Sequence, residues 1–119
     1  MRILICDDNA DAAQAISMLV SFERHETHVC NDGPACVAKA LVWRPHIVLI
    51  DIAMPGMDGF QVAAALRAQL GRDTFLIAFS GFTAQEDVRA STEAGFDLHI
   101  SKSADPQTVL QAVRARATN

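Results

Sequence analysis

Five residues of this chain have types and positions that suit joint chemistry: Asp7, Asp8, Asp51, Ser80 and Lys102. Each stands at the end of a short apolar run. RILIC precedes Asp7-Asp8, IVLI precedes Asp51, FLIAF precedes Ser80, and Lys102 follows DLHIS. Converging carboxylates repel one another and need a counter-charge. A hard divalent cation meets that need, and a few carboxylates completed by waters suit Mg²⁺ better than a full calcium cage. Lys102 adds a second positive charge and Ser80 a hydroxyl donor. Together these groups match phosphoryl transfer: the cations neutralise equatorial oxygens, the hydroxyl donates to one of them, and a carboxylate is the in-line nucleophile. Asp51 is the best nucleophile candidate, while Asp7 and Asp8 are better placed to hold the metal. Each residue also has a plainer reading. Asp7-Asp8 can cap a helix, Asp51 a loop, Ser80-Gly81 can be only a turn, and Lys102 can be solvated.

The elements decide between these readings. Ile47–Ile50 is a run of β-branched and aliphatic residues, as in a strand buried on both faces of a parallel sheet. Pro55, Gly56 and Gly59 end it in a tight loop. Arg2–Cys6, Thr27–Cys30, Phe75–Phe79 and Asp97–Ser101 read as the other strands, and the central one starts at His46. Between them fall helical patterns. Ala12, Ala15, Ile16, Leu19 and Val20 make the apolar face of the first helix, with Asn9 or Asp11 as its cap. Asn31-Asp32-Gly33-Pro34 reads as a turn before a second helix carrying Val37, Ala40 and Leu41, which ends near Arg44 ahead of Pro45. Asp58 caps a third helix with Val62, Ala65, Leu66 and Leu70, stopped by Gly71. Thr83 to Glu86 has the spacing of a capping box for a fourth, stopped by Gly95. Asp105 and Pro106 open the last, with Val109, Leu110 and Val113 inward and Arg114 and Arg116 at its negative end.

Strand and helix alternate five times without a linker, which predicts an α/β, doubly wound parallel sheet with helices on both faces. Right-handed crossovers then place every strand exit on one edge. The five candidate residues share that edge, and that coincidence favours the chemical reading.

The chain has 119 residues, half of them hydrophobic, enough for one domain with its own core. A net charge of -4, without a basic cluster outside the tail, makes nucleic acid a poor partner. No apolar run is long enough to span a bilayer, and no signal peptide is visible. Cys6, Cys30 and Cys36 lack metal-type spacing and read as small buried hydrophobes of a reducing cytoplasm. His25, His28 and His46 show no ligand spacing.

ILICDDN, IVLIDIAMPGMDGF, FLIAFSGF and AGFDLHISKS, in this order and spacing, resemble the receiver domain of two-component response regulators over the whole chain. The resemblance implies a flavodoxin-like five-stranded sheet, order 2-1-3-4-5, with five flanking helices. It implies that Asp51 is the phosphoacceptor, supplied by a phosphohistidine on a histidine kinase or histidine phosphotransfer protein. Asp8, Asp51 and the backbone carbonyl of Ala53 would bind Mg²⁺ directly, and Asp7 through water. Ser80 and Lys102 would grip the phosphoryl oxygens. Such a domain catalyses only its own phosphorylation and dephosphorylation. It would signal to a downstream protein target through the surface of the fourth helix, fifth strand and fifth helix, with Ser80 coupled to residue 99. Residues 1–119 are expected to be a single receiver domain without an output domain, whether stand-alone or cut from a hybrid kinase.

Three positions depart from the family pattern. His99 replaces the usual Tyr or Phe, adding a group with an unperturbed pKa of about 6.5. Ser103 replaces the proline after Lys102, where a cis bond before a non-proline residue costs roughly 2.5–4 kcal/mol. Phe82 is bulkier than the usual small residue and is expected to shield the phosphoryl group. A phosphorylation-independent interaction module on the same fold is the competing reading. A flavodoxin is disfavoured because Asp7-Asp8 would repel a bound phosphate. A haloacid-dehalogenase-type phosphatase is disfavoured because Ala53 stands where its second acid belongs.

Overall fold

The structure, a computed structural model, describes residues 1–81 and 85–117, with the backbone alone at 85–87. The elements alternate as β1 (Arg2–Cys6), α1 (Ala10–Ser21), β2 (Glu26–Cys30), α2 (Gly33–Trp43), β3 (Ile47–Asp51), α3 (Gly59–Leu70), β4 (Phe75–Ser80), α4 (Gln85–Ala94), β5 (Leu98–Ser101) and α5 (Pro106–Ala117). The strands form one sheet in the order β2-β1-β3-β4-β5, and every pairing is parallel. All five residues of β3 are buried, as its unbroken apolar run predicts.

Alternation along the strands divides the core into two layers. Leu4, Val48, Ile50, Leu76 and Ala78 face Cys36 and Ala40 of α2 and Val62, Ala63 and Leu66 of α3. Ile3, Ile5, Ile47, Leu49 and Ile77 face Ala13 and Val20 of α1 and Val109 and Val113 of α5. A period of two along each strand accounts for this partition.

The exit of β3 is held from both sides. The N–H of Ile52 donates to the Phe79 carbonyl at 3.1 Å, and the N–H of Gly59 donates to the Ile52 carbonyl at 3.0 Å. Asp58 caps α3 in a reciprocal pair with Gln61, each side chain accepting from the other's N–H at 2.9 Å. The start of α3 thereby lies directly on the strand exit. A Cβ at Gly59 would stand 2.7 Å from both the Asp51 carbonyl oxygen and the Ile52 Cα. Those neighbours are backbone and cannot rotate away. Gly59→Ala is therefore expected to destabilise the domain by about 2–3 kcal/mol, checked as a lower urea midpoint with unchanged slope.

The opposite end of the sheet is clamped by one side chain. Arg67 donates from Nε to the Gly95 carbonyl at 2.8 Å, and from Nη1 to those of Gly71 at 2.9 Å and Thr74 at 2.6 Å. Its Nη2 pairs with Asp97, whose carboxylate also accepts from the Leu76 N–H at 2.8 Å. Gly95, at φ +112°, leaves room for the stem, since a Cβ there would meet Arg67 Cγ at 2.7 Å.

Some local expectations are corrected. Val20 is buried and Ile16 packs against the core as the pattern predicts, but Ala13 is buried with them while Ala15 is exposed. Ala12, Ala15, Ile16 and Leu19 also border a groove of about 450 Å³ between α1 and α5. Asn9, not Asp11, is the cap, its Oδ1 accepting from the Ala12 N–H at 3.0 Å. Gly33 and Pro34 are the first turn of α2 rather than a loop, because Asp32 caps the helix through the Ala35 N–H at 2.7 Å. Arg44 ends α2 in the left-handed conformation, φ 52°, so that Pro45 can follow. In α3 Ala63 is buried and Ala65 only partly so. The capping box proposed for α4 and the shielding residue Phe82 lie outside the described residues. Cys6 and Cys36 are buried and Cys30 half-buried, all as free thiols.

Candidate functional site

The register assembles the candidate residues on one edge. Cys6 pairs with Ile50, so the next residues, Asp7 and Asp51, leave neighbouring strands side by side. Ser80 ends β4 opposite Ser101, and Lys102 follows it. Asp7, Asp8 and Asp51 each bring a carboxylate oxygen within 4.8 Å of the others. Lys102 Nζ stands 3.1 Å from Asp51 Oδ2 and 3.5 Å from Asp7 Oδ2. Ser80 is buried, and its carbonyl accepts the Lys102 N–H at 2.7 Å. The five residues proposed from spacing therefore do come together.

Local bonds aim the carboxylates. Asp7 Oδ1 accepts the Asn9 N–H at 2.9 Å, and the Asp7 carbonyl accepts from Asn31 Nδ2 at 3.0 Å. Asp51 Oδ1 accepts the Ala53 N–H at 3.1 Å, leaving Oδ2 to Lys102. Asn9 and Asn31, read from the sequence only as a helix cap and a turn residue, both support Asp7. Only the Asn31 bond uses an amide side chain; Asn9 acts through its backbone N–H, which no residue type signals.

Asp7 and Asp51 are 3% and 4% exposed, whereas Asp8 opens to solvent. Burial pushes the Asp51 carboxyl above its ordinary range and Asp7 adds to the push, against the opposing pull of Lys102. Burial alone would lower Lys102, but Asp51 and Asp7 outweigh it and hold the ammonium above its usual value. Three carboxylates thus face one ammonium, leaving room and charge for a divalent cation. Oxygen donors of this kind fit a hard ion such as Mg²⁺. Calcium would ask for more oxygens than these side chains supply.

The sign of the Asp51 shift yields a stability prediction. A carboxyl raised in the folded state favours folding when protonated, and that contribution is lost as pH rises through the folded value. Without divalent cations, Asp51→Asn should therefore be more stable than the wild type at neutral pH, by about 1 kcal/mol. The gap should close as pH falls toward the ordinary carboxylate value of 3.8. Saturating MgCl₂ should reverse it, because an ion bound only by the folded wild type adds stability. Paired melts of the two proteins across pH, with and without MgCl₂, check all three signs.

His99 lies on β5 opposite Ala78, turned inward, with Nε2 buried and without a hydrogen-bond partner among the described residues. It borders a cavity of about 290 Å³ with Val88 and Ser91 of α4 and with Phe96 and Leu98. Val88 and Leu98 keep substantial exposure beside it. No described peptide bond is cis, so the chain passes from Lys102 to Ser103 in the trans form, and Lys102 still reaches Asp51.

Comparison with known proteins agrees with this geometry. The response regulator receiver domain model matches residues 3–114. Over 115 residues, 97% of its length, the chain is 34% identical to the DNA-binding response regulator MtrA of Mycobacterium tuberculosis. It covers 50% of that protein, and so spans about half the length of the curated relatives it matches. Among solved structures, the chemotaxis protein CheY4 of Vibrio cholerae superimposes with a TM-score of 0.90 at 25% identity, covering 96% of each chain. A CheY-like receiver domain protein from Methanospirillum hungatei gives 0.87 at 26% identity, covering 97% of this chain and 91% of that one.

Proposed function

The chain belongs to the response regulator receiver domain family, and from that premise we propose that it accepts a phosphoryl group on Asp51 from the phosphohistidine of a histidine kinase or histidine phosphotransfer protein. The observation that carries this reading is the close set of Asp7, Asp8 and Asp51 around the Lys102 ammonium. Asp51 Oδ attacks phosphorus, the phosphorus–nitrogen bond breaks, and its electron pair stays on the imidazole, which takes up a proton. Lys102 moves its ammonium from carboxylate to phosphoryl oxygen, and the Ser80 hydroxyl donates to another oxygen. Asp8, Asp51 and the Ala53 carbonyl would hold Mg²⁺, and Asp7 would support it through water. When bound, the ion supplies the neutralising charge that three acidic side chains cannot. Ala53 is exposed beside Asp51, which supports its carbonyl as a ligand.

The domain is not an enzyme toward other molecules; it promotes only the gain and loss of its own phosphoryl group. Its output is a contact with a downstream protein on the surface of α4, β5 and α5, where His99 links the state of Ser80 to Val88 and Leu98. The net charge of -4 supports neither nucleic acid nor a membrane surface as a partner. Three free thiols suit a cytoplasmic setting. Among the described residues, no helix is long and apolar enough to cross a membrane. Assembly of every charged group supports phosphorylation over a phosphorylation-independent interaction module, which would not need them.

Intact mass after incubation with acetyl phosphate and MgCl₂ tests the reading. One added phosphoryl group is expected, and none when MgCl₂ is replaced by EDTA. No adduct from acetyl phosphate or from a panel of phosphorylated kinases and phosphotransfer proteins would overturn it.

A further inference from the structure

Lys102 stands between two serines whose side chains are joined. Ser101 Oγ lies 2.8 Å from Ser103 Oγ and accepts the Ser103 N–H at 3.2 Å. The Lys102 N–H is fixed to the Ser80 carbonyl at 2.7 Å, and the Ala104 N–H donates to the Ser101 carbonyl at 3.0 Å. The backbone is therefore tied immediately before, at and after the lysine. The N–H of Ser103 is a donor that proline lacks, so this pattern of bonds is open only to a chain with another residue there.

We propose that Ser101 and Ser103 form a hydrogen-bonded clasp that positions Lys102 for phosphoryl transfer. The proposal rests on the role given above to Lys102. Both serines are positioning residues, and they act through the lysine. The physical need is plain. A lysine ammonium rides on a flexible four-carbon stem, and its reach is as well defined as the backbone from which the stem departs. Here the Lys102 side chain is 34% exposed, and its recorded ionic partners are carboxylates at 3.1 and 3.5 Å. Packing alone does not hold it. The clasp fixes the origin of the stem so that the ammonium stays over Asp51. Ser101 is half-buried and Ser103 exposed, so loss of the clasp should affect the lysine much more than the core.

The experiment compares wild type, Ser101→Ala, Ser103→Ala and Ser101→Thr. Phosphoryl uptake is followed against acetyl phosphate concentration at saturating MgCl₂, and Mg²⁺ affinity is measured separately by calorimetry. Side-chain ¹³C relaxation of lysine is read in the Mg²⁺-free proteins, where Lys39 is the one other lysine and an internal reference. Ser101→Ala removes the hydroxyl that takes part in both bonds and should lower the maximal rate about tenfold, while Ser103→Ala, losing one bond, should lower it about threefold. Ser101→Thr keeps the hydroxyl and should stay within about twofold of wild type. Mg²⁺ affinity should not change, since no metal-binding carboxylate touches either serine. The Lys102 Cε should become more mobile in the order Ser103→Ala, then Ser101→Ala.

Wild-type rate and wild-type Lys102 mobility in Ser101→Ala would overturn the clasp. An equal fall in Mg²⁺ affinity would overturn it too, by assigning the loss to general distortion of the edge. If the wild type takes up no phosphoryl group, the assignment of Asp51 fails. The relaxation readout still decides whether the serines restrain Lys102.

Discussion

Asp51→Asn is expected to take up no measurable phosphoryl group, a loss of at least about a thousandfold against the wild type. Asparagine has nearly the shape of aspartate, so β3, its loop and the neighbouring residues should stay in place. What disappears is the anionic oxygen that forms the bond to phosphorus. Asp7 and Asp8 cannot substitute, because they leave the neighbouring strand and Asp7 is already bonded to Asn9 and Lys102. Intact mass beside the wild type, at equal MgCl₂ and acetyl phosphate, is the measurement. A full adduct on Asp51→Asn would show that another residue is the acceptor, with Asp8 as the exposed carboxylate to examine next. The melting comparison guards against a trivial loss. The variant should be at least as stable as the wild type without Mg²⁺, so inactivity cannot be blamed on unfolding.

Lys102→Ala should slow phosphoryl uptake by about a hundredfold, the usual scale for removing one fixed charge from a developing anion. Acceptor and metal-binding residues remain, so the reaction persists at a lower rate. Its second signature is thermodynamic. Without Lys102, Asp7 and Asp51 keep their mutual repulsion and lose their shared cation. Because the lysine is one-third exposed, water screens part of that change, and a cost of about 1–2 kcal/mol is expected in Mg²⁺-free solution. MgCl₂ should then stabilise Lys102→Ala more than it stabilises the wild type, since the ion meets more uncompensated charge. Urea melts with and without MgCl₂ measure the difference. An equal Mg²⁺ increment in both proteins would mean that the lysine does not share the carboxylates' field.

The strands and the residues at their exits were legible because both signals are local. IVLI and FLIAF can hardly be anything but buried strands, and an aspartate or serine directly after such a run has to surface at the sheet edge. Strand order was a different matter. Nothing within β1 or β2 states that β1 lies between β2 and β3, and the order rested on the likeness of the motifs to a known family. The inward face of α1 is legible only in part: Ile16 and Val20 reach the core as the pattern predicts, but Ala13 does so in place of Ala15. Ala12, Ala13 and Ala15 differ little in apolarity, so the periodic pattern fits two neighbouring faces equally well. The choice is made by packing: Ala13 belongs to the buried layer that holds Ile3 and Ile5 of β1 and Leu49 of β3. Gly33-Pro34 was misread because the same two residues that make a turn also begin a helix when an aspartate precedes them. Bonds that side chains make to residues distant in sequence, such as Asn31 Nδ2 to the Asp7 carbonyl and Arg67 to Asp97, leave no periodic trace at all. The Ser101–Ser103 bond is two residues long, yet it shows only once the turn after β5 has brought the two hydroxyls together.

Arg67 has a mechanical consequence. It gathers the last turn of α3, the start of β4 and the turn between α4 and β5 into one knot. Ser80 lies five residues further along β4, roughly 16 Å away at about 3.3 Å per residue. One end of the α4–β5 unit is thus pinned while the other ends beside the acidic edge. A lever with one fixed end cannot slide; it can only pivot. Displacements of α4 and β5 should therefore be smallest near Gly95 and grow toward Ser101, turning a sub-ångström change at the edge into a rotation of the whole outer face.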